Sequence, residues 1–410
     1  MARTVNKNKP PNENAENSGQ ASGNSGRRRL PFWKKLAFLS VVLVLLFLAC
    51  ELLLVVLGVS FPLLYQPDEF CATRLKNNLN VRYIEEGNSV VRTNSDGFRD
   101  KVWQLQKPDD TFRIAVVGDS FCEAIQVKRE DSFCYQLEKM LRERGNSVEV
   151  MNFGISGFGT AQEFEMLRHR VLKYQPDLVI LAVFLGNDVG DNSRTINPGQ
   201  IKPYFDLVDG KLKLDNSFLV SEQFRDAQSS WTQFKSSLIN SSRVLQLVNK
   251  LYSRLRSRGG RRANIGIGLD PDLYRPPESD QWKEAWEVTE ATIQAFYDEC
   301  QNADAKCIVM TLSNPIQVHP DPEMRRAFAE ENRIESLFYP DERVRQFCAS
   351  RKIPLLQLAK TLHDEADQSD PPIYFHGFQN TQMGTGHWNE RGHQRVANIL
   401  KDHLIKTIFN

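Results

Sequence analysis

The sequence predicts an α/β fold in three layers, with helices on both faces of a mainly parallel central sheet and one transmembrane helix ahead of it. Three observations carry this. From Thr111 onward, short apolar runs alternate with segments of helical period, the order that winds a chain into a parallel sheet. Three of those runs end at Gly-containing turns: Gly118-Asp119-Ser120, Asn152-Phe153-Gly154 and Gly186-Asn187-Asp188. Before them, from about Leu36 to Leu57, lies a nearly unbroken apolar run, long enough at about 1.5 Å per residue to cross a bilayer.

The first 35 residues carry Arg27, Arg28, Arg29, Lys34 and Lys35 among Asn, Ser, Gly and Pro, a composition of disorder. We read 1–35 as a basic cytoplasmic tail, 36–59 as the membrane helix, 60–110 as an extracytoplasmic lead-in and 111–410 as the α/β domain. The basic flank keeps the N-terminus in the cytoplasm, so everything after Val59 is expected outside the cell membrane. A cleaved signal peptide is the competing reading, against which the long tail and long run both argue. Phe47-Leu48-Ala49-Cys50 is a weak lipoprotein box, since Phe stands where Leu is usual. Glu51, near the outer end of the span, is expected to snorkel or to sit protonated.

Phe112 to Val117 reads as the first strand, Ser132 to Arg144 as an amphipathic helix and Ser147 to Met151 as the second strand. A helix over Ala161 to Tyr174 and a strand over Leu178 to Phe184 follow. Ligands of open parallel sheets sit at the carboxyl ends of the strands, so the three turns are expected to converge on one crevice. From about 189 to 280 the alternation stops at an insertion, with a hairpin turn at Leu207 to Leu212, one long helix over Ser221 to Arg258, and loops at Gly259 to Arg262 and Asp270 to Pro277. It resumes with helix Gln281 to Asn302, strand Lys306 to Leu312, helix Glu342 to Ser350, strand Ile353 to Leu356 and helix Glu390 to Lys406.

Lys and Arg number 52 against 51 Asp and Glu, which removes the cationic field that nonspecific nucleic-acid binding requires. Six of the seven cysteines lie in the exported part, where disulfides persist; disulfides and buried thiols both remain open. The spacings hold no Cys-x-x-Cys, so no zinc site is expected.

A Ser on the sharp turn leaving a strand is held clear of the sheet, where it can attack a carbonyl. Here four blocks occur in order: Val117-Gly118-Asp119-Ser120-Phe121, Asn152 to Gly157, Gly186-Asn187-Asp188, and His387-Trp388-Asn389-Glu390-Arg391-Gly392-His393. In these blocks the chain resembles the SGNH (GDSL-like) hydrolase superfamily, and Asn94-Ser95-Asp96-Gly97-Phe98-Arg99 is similar to a segment of its membrane-anchored bacterial members. The resemblance implies an SGNH, flavodoxin-like sheet, Ser120 as nucleophile and His387 as general base. It also implies an oxyanion hole made by the amides of Ser120 and Gly157 and the side chain of Asn187. No cofactor is implied. His393 is expected to be structural.

The family usually carries an Asp two or three residues before the catalytic His; here Gly384 and Thr385 stand there. A Ser-His dyad, its imidazole held by a backbone carbonyl, is the preferred expectation, with a remote acid from Asp364, Glu365, Asp367 or Asp370 as the alternative. The function expected is an extracytoplasmic serine esterase acting on O-acyl groups, acetyl above all, of a polysaccharide or other glycan. An O-acyltransferase serving polysaccharide export or modification machinery, and a catalytically inactive glycan-binding or scaffold protein, are the alternatives. Trp231 and Tyr204 of the insertion are expected to stack on sugar.

Overall fold

The computed structural model describes residues 31–257 and 268–409; most of the expected tail and the loop at Gly259 to Arg262 lie outside them. The chain divides into two compact units, one up to Cys50 and one from Glu51 onward. Helix α1, Phe32–Val56, has no buried residue, and 18 consecutive residues of it reach a mean hydropathy of 3.0. Among the described residues it is the one helix long and apolar enough to cross a membrane, a property shared by signal sequences.

The lead-in forms two small antiparallel hairpins that periodicity does not announce: β1 (Tyr65–Asp68) with β2 (Ala72–Leu75), and β3 (Asn80–Tyr83) with β4 (Ser89–Arg92). Then come β5 (Phe112–Gly118), α2 (Ser120–Glu123), α3 (Phe133–Glu143), β6 (Val148–Gly154), α4 (Thr160–Met166), β7 (Leu178–Val183) and α5 (Leu185–Asp191). The insertion holds the hairpin β8 (Tyr204–Val208) and β9 (Lys211–Asp215), then α6 (Glu222–Gln228), α7 (Ser230–Asn240) and α8 (Arg243–Ser257). The rest is α9 (Asp280–Asn302), β10 (Lys306–Thr311), α10 (Pro322–Glu331), α11 (Tyr339–Arg351), β11 (Leu355–Gln357), α12 (Ala359–Gln368) and α13 (Glu390–Thr407).

Five strands form one parallel sheet in the order β6-β5-β7-β10-β11. Successive residues of a strand face opposite sides, and each side has its own core. Ala115, Val117, Val179 and Leu181 pack with Phe164, Trp286 and Phe296. Ile114, Val116, Leu178 and Ile180 pack with Leu137, Leu141, Val396 and Leu400. This is the three-layer α/β fold expected, its central strands apolar on both faces as buried parallel strands must be. Gly118 pairs in register with Gly154 and with Ala182, so the turns after β5, β6 and β7 leave the sheet at one level. Because β6 and β7 flank β5, the strand order reverses there and opens a crevice.

Two helices differ from expectation. The segment after Thr160 is regular only to Met166, then widens into a π turn at Leu167–Val171 and tightens into a 3-10 turn at Leu172–Tyr174. The long helix expected over Ser221 to Arg258 is three helices. Ser229 Oγ accepts from the Thr232 amide at 3.2 Å and Ser242 Oγ from the Leu245 amide at 3.2 Å, so each Ser caps a new helix rather than continuing the last. Glu51 is hydrogen-bonded rather than snorkelling: its Oε1 accepts from the Arg243 amide at 2.6 Å, and its Oε2 from Ser242 Oγ at 2.7 Å and the Val244 amide at 3.1 Å. A carboxylate is favoured at the first turn of a helix, where amides lack partners. The six cysteines beyond Glu51 are all buried free thiols.

Candidate active site

Ser120 begins α2 at the carboxyl end of β5. Asp119 caps this turn, its Oδ1 accepting from the Phe121 amide at 3.0 Å, and Ala124 ends it in the left-handed region with φ of 55°. The far end of the turn is held by Arg99, whose buried guanidinium donates to the carbonyls of Glu123 at 3.1 Å, Ala124 at 2.7 Å and Val127 at 2.5 Å. Arg99 is itself placed by a local turn in which Asn94 Oδ1 accepts from the amides of Asp96 and Phe98 at 3.0 and 2.9 Å. The Asn94 to Arg99 segment thus supports the turn that carries Ser120.

His387 precedes α13, and its Nε2 lies 2.7 Å from Ser120 Oγ. Its other ring nitrogen, Nδ1, lies 2.5 Å from Glu86 Oε2, while Glu86 Oε1 accepts from the His387 amide at 2.8 Å. An acid therefore orients the imidazole, and the expected dyad with a backbone carbonyl is corrected. The carboxylate comes from the lead-in, between β3 and β4. Burial acts to raise the Glu86 pKa, but the hydrogen bonds and electrostatic attraction from the His387 ring and its amide outweigh this and hold it below the usual carboxylate range, so it stays ionised. The proton then belongs on Nδ1, leaving Nε2 free to accept from the Ser120 hydroxyl.

Two features let the acid reach. Asn380 clasps its turn, accepting from the Gly87 amide at 2.9 Å and donating to the carbonyls of Ile84 and Gly87, each at 2.9 Å. Gly386, at φ of +71°, has no Cβ where the carboxylate lies. Three of the four remote acids expected as alternatives are engaged elsewhere, Asp364 with Lys360, Glu365 with Arg395 and Asp367 with Arg325, and the acid on the His387 ring is Glu86 rather than Asp370. Thr385 Oγ1 only donates to the Gln382 carbonyl, at 2.9 Å. His376 buttresses the loop, with Nδ1 2.8 Å from the Gly386 carbonyl and Nε2 3.0 Å from Ser313 Oγ; burial drops its pKa to about 3, so it is neutral. His393 is buried against Phe133 and Trp388, away from Ser120.

Gly157 and Asn187 line the same cavity as Ser120 and His387. Gly157 adopts φ of +79° with open space where a Cβ would project, so its backbone can be approached closely. The Asn187 side-chain nitrogen sits among three acceptors: the Phe158 carbonyl at 3.3 Å, Asp188 Oδ1 at 3.1 Å and Asp191 Oδ2 at 3.2 Å. Ser156, beside Gly157, donates to the buried Glu123 carboxylate, which also accepts from Tyr65 at 2.9 Å. Burial pushes Glu123 up to about 7. Near Ser120, burial likewise lifts Asp119 to about 7 and Asp188 and Glu163 well above the carboxylate range. These acids hold their protons to higher pH than ordinary carboxyls, which lowers the negative charge around Ser120. Neither Glu123 nor Glu163 carries a sequence signal that separates it from a surface acid.

The cavity measures about 680 Å³. Pro62, Leu63, Tyr83 and Ile125 give it apolar wall, while Ser60, Glu85, Gln126 and Asp191 give it polar groups. Tyr204 and Trp231 do not line it, contrary to expectation. Tyr204 is buried in β8 with the Arg194 guanidinium 4.4 Å from its ring. Trp231 points outward from α7, stacked on Phe234.

Residues 116–395 match the model of the GDSL-like lipase/acylhydrolase family. Among curated proteins, none matches the chain. Solved structures with similar folds include an acetyl xylan esterase, AlAXEase, at 13% identity over 72% of this chain and 100% of that one, with a TM-score of 0.38. The psychrotrophic esterase EstA from Pseudoalteromonas sp. gives 13% identity, 74% and 100% coverage and a TM-score of 0.35. A GDSL-like lipase from Bacteroides thetaiotaomicron gives 10%, 72%, 89% and 0.31.

Proposed function

Because the chain belongs to the GDSL-like lipase/acylhydrolase family and is an ester hydrolase, we propose that Ser120, His387 and Glu86 are its catalytic triad. We propose further that it works outside the cytoplasm on O-acyl groups, acetyl above all, of a polysaccharide or other glycan. One observation carries the reading: Ser120 Oγ, both nitrogens of His387 and Glu86 Oε2 form a continuous hydrogen-bonded line with steps of 2.7 and 2.5 Å. His387 Nε2 takes the Ser120 proton as Oγ attacks the ester carbonyl. The amides of Ser120 and Gly157, with the side chain of Asn187, receive the oxyanion. His387 then returns the proton to the leaving alcohol, and water, deprotonated by the same imidazole, releases the acid.

The cavity, lined by apolar as well as polar side chains, exceeds in size what an acetyl group alone would fill and so leaves room for the alcohol portion. Transfer differs only in the last step, where a sugar hydroxyl replaces water. An inactive binder would have no use for an acid held against the imidazole. Three measurements on the full chain in detergent test the proposal: fluorophosphonate labelling, turnover of nitrophenyl acetate, and acetate release from O-acetylated polysaccharides with and without free sugar acceptors. Labelling at Ser120 with acetate release supports the esterase, and acylated acceptor supports the transferase. Labelling with no action on any acylated glycan would overturn the substrate class.

A further inference from the structure

Helices α7 and α8 pack on one another, yet each turns an apolar row outward. On α7 the row is Trp231, Phe234 and Leu238; on α8 it is Val248, Leu251, Tyr252 and Leu255. The spacing of three and four puts each row on a single helical stripe. All seven side chains are exposed, Trp231 and Leu255 by 66% each. Single exposed apolar residues are ordinary, but seven on two consecutive helices form the kind of surface that monomeric proteins seldom leave to water.

The charges on the same helices have one sign. Lys235, Arg243, Lys250, Arg254 and Arg256 occur between Ser230 and Ser257 with no Asp or Glu, in a chain whose totals balance at 52 and 51; Lys250 pairs with Glu85 and Arg243 donates to Ser60, which leaves Lys235, Arg254 and Arg256 as the exposed cations. An apolar stripe bordered by cations suits a helix lying in a bilayer interface, where acyl chains take the stripe and anionic headgroups the cations. An apolar protein partner would cover the stripe but leave the exposed Lys235, Arg254 and Arg256 unused. The start of α8 is fastened to the last turns of the apolar α1 through the bonds of Glu51 to Ser242, Arg243 and Val244. The lead-in just beyond is tied to the same corner, Leu63 donating to Asn240 Oδ1 at 2.8 Å.

We propose that the α7–α8 pair docks on an anionic lipid bilayer, its apolar rows in the headgroup boundary and its Lys and Arg among the phosphates. Ser236 of α7 lines the Ser120 cavity, so this contact holds the catalytic mouth beside the membrane surface. The inference stands independently of the reaction assigned to Ser120.

The test reads depth rather than activity. The full chain is reconstituted in vesicles of phosphatidylcholine with and without phosphatidylglycerol. An environment-sensitive fluorophore is placed at Leu251→Cys or Phe234→Cys, with Arg326→Cys on the exposed face of α10 as control. All carry Cys50→Ser, because Cys50 is the one exposed cysteine among the described residues. Lipid-borne nitroxides should quench the labels at 234 and 251 several-fold more than the label at 326, and more strongly with phosphatidylglycerol. In the unlabelled chain, Trp231→Phe should remove part of the quenching by brominated lipid, a readout that needs no new cysteine. Equal, weak quenching at all three sites with no change in Trp231→Phe overturns the proposal. So does shielding that disappears as protein per vesicle is diluted, which would assign the face to a second copy of the chain.

Discussion

The carboxylate of Glu86 occupies the space that a side chain at position 386 would need. A Cβ added to Gly386 would fall well inside van der Waals distance of Glu86 Oε1, on a backbone whose φ of +71° already disfavours any other residue. Gly386→Ala should therefore displace the acid while leaving Ser120 and His387 present. We expect Glu86→Gln, which keeps the shape and loses the charge, to lower kcat by about three to four orders of magnitude, the scale seen when a triad acid is replaced by its amide. Gly386→Ala should follow it by roughly one to two orders. Steady-state kinetics beside circular dichroism decide this; a Glu86→Gln enzyme within tenfold of wild type removes Glu86 from the triad. Thr385→Asp should give no gain, since the imidazole nitrogen it would serve is taken.

Asn187 faces the cavity with its amide already shared among three acceptors. If an oxyanion draws one of those hydrogens, Asn187→Ala should cost about two to three orders in kcat with little change in KM, as for other lost oxyanion donors. A change confined to KM would make Asn187 a ground-state binding residue instead.

Glu123 supplies a pH dependence. Its folded pKa of about 7 lies above the ordinary 4.5 because burial disfavours the charge, so the folded state holds a proton the unfolded state has lost between those values. Stability from this group is complete below about pH 4.5 and declines as pH rises to about 7, by of the order of 3 kcal/mol at 1.4 kcal/mol per pKa unit. Thermal melts from pH 5 to 8 should show Tm falling in wild type and falling less in Glu123→Gln. Parallel curves would show that the carboxyl titrates normally.

Arg99 satisfies three carbonyls at the end of the nucleophile turn while almost wholly buried. Arg99→Met should leave them unpaired and cost about 2–4 kcal/mol in urea unfolding. Labelling at Ser120 should slow as well, because the turn beginning there loses its far anchor. A variant equally stable and equally reactive would reduce Arg99 to a filler of space.

Most of the sheet was legible because buried parallel strands write themselves as apolar runs: Phe112 to Val117 and Leu178 to Phe184 each end within a residue of the observed strand. Ser120, Gly157, Asn187 and His387 could be collected from four blocks, each local in sequence. Glu86 could not, since it stands 301 residues from His387 in a polar turn with no periodicity, and only Gly386 hints at a neighbour needing room. The four-residue strands of the lead-in contain Pro67, Arg74 and Arg82 and lack alternation strong enough to read. The insertion was misread as one helix because its apolar spacing runs on through Ser229 and Ser242, whose capping shows only in three dimensions. Trp231 suggested a sugar platform by residue type alone, but its direction depends on which face of α7 meets the domain.

The line proposed as catalytic draws its acid from position 86 and its base from position 387. A growing polypeptide that has displayed Glu86 and Ser120 is still chemically inert until His387 is made and α13 has packed. On that proposal a chain that stops short of residue 387 has the serine and the acid but no base, and is inert towards esters. The same arrangement warns the gene engineer that the family module, 116–395, excised at its own borders, leaves the carboxylate behind.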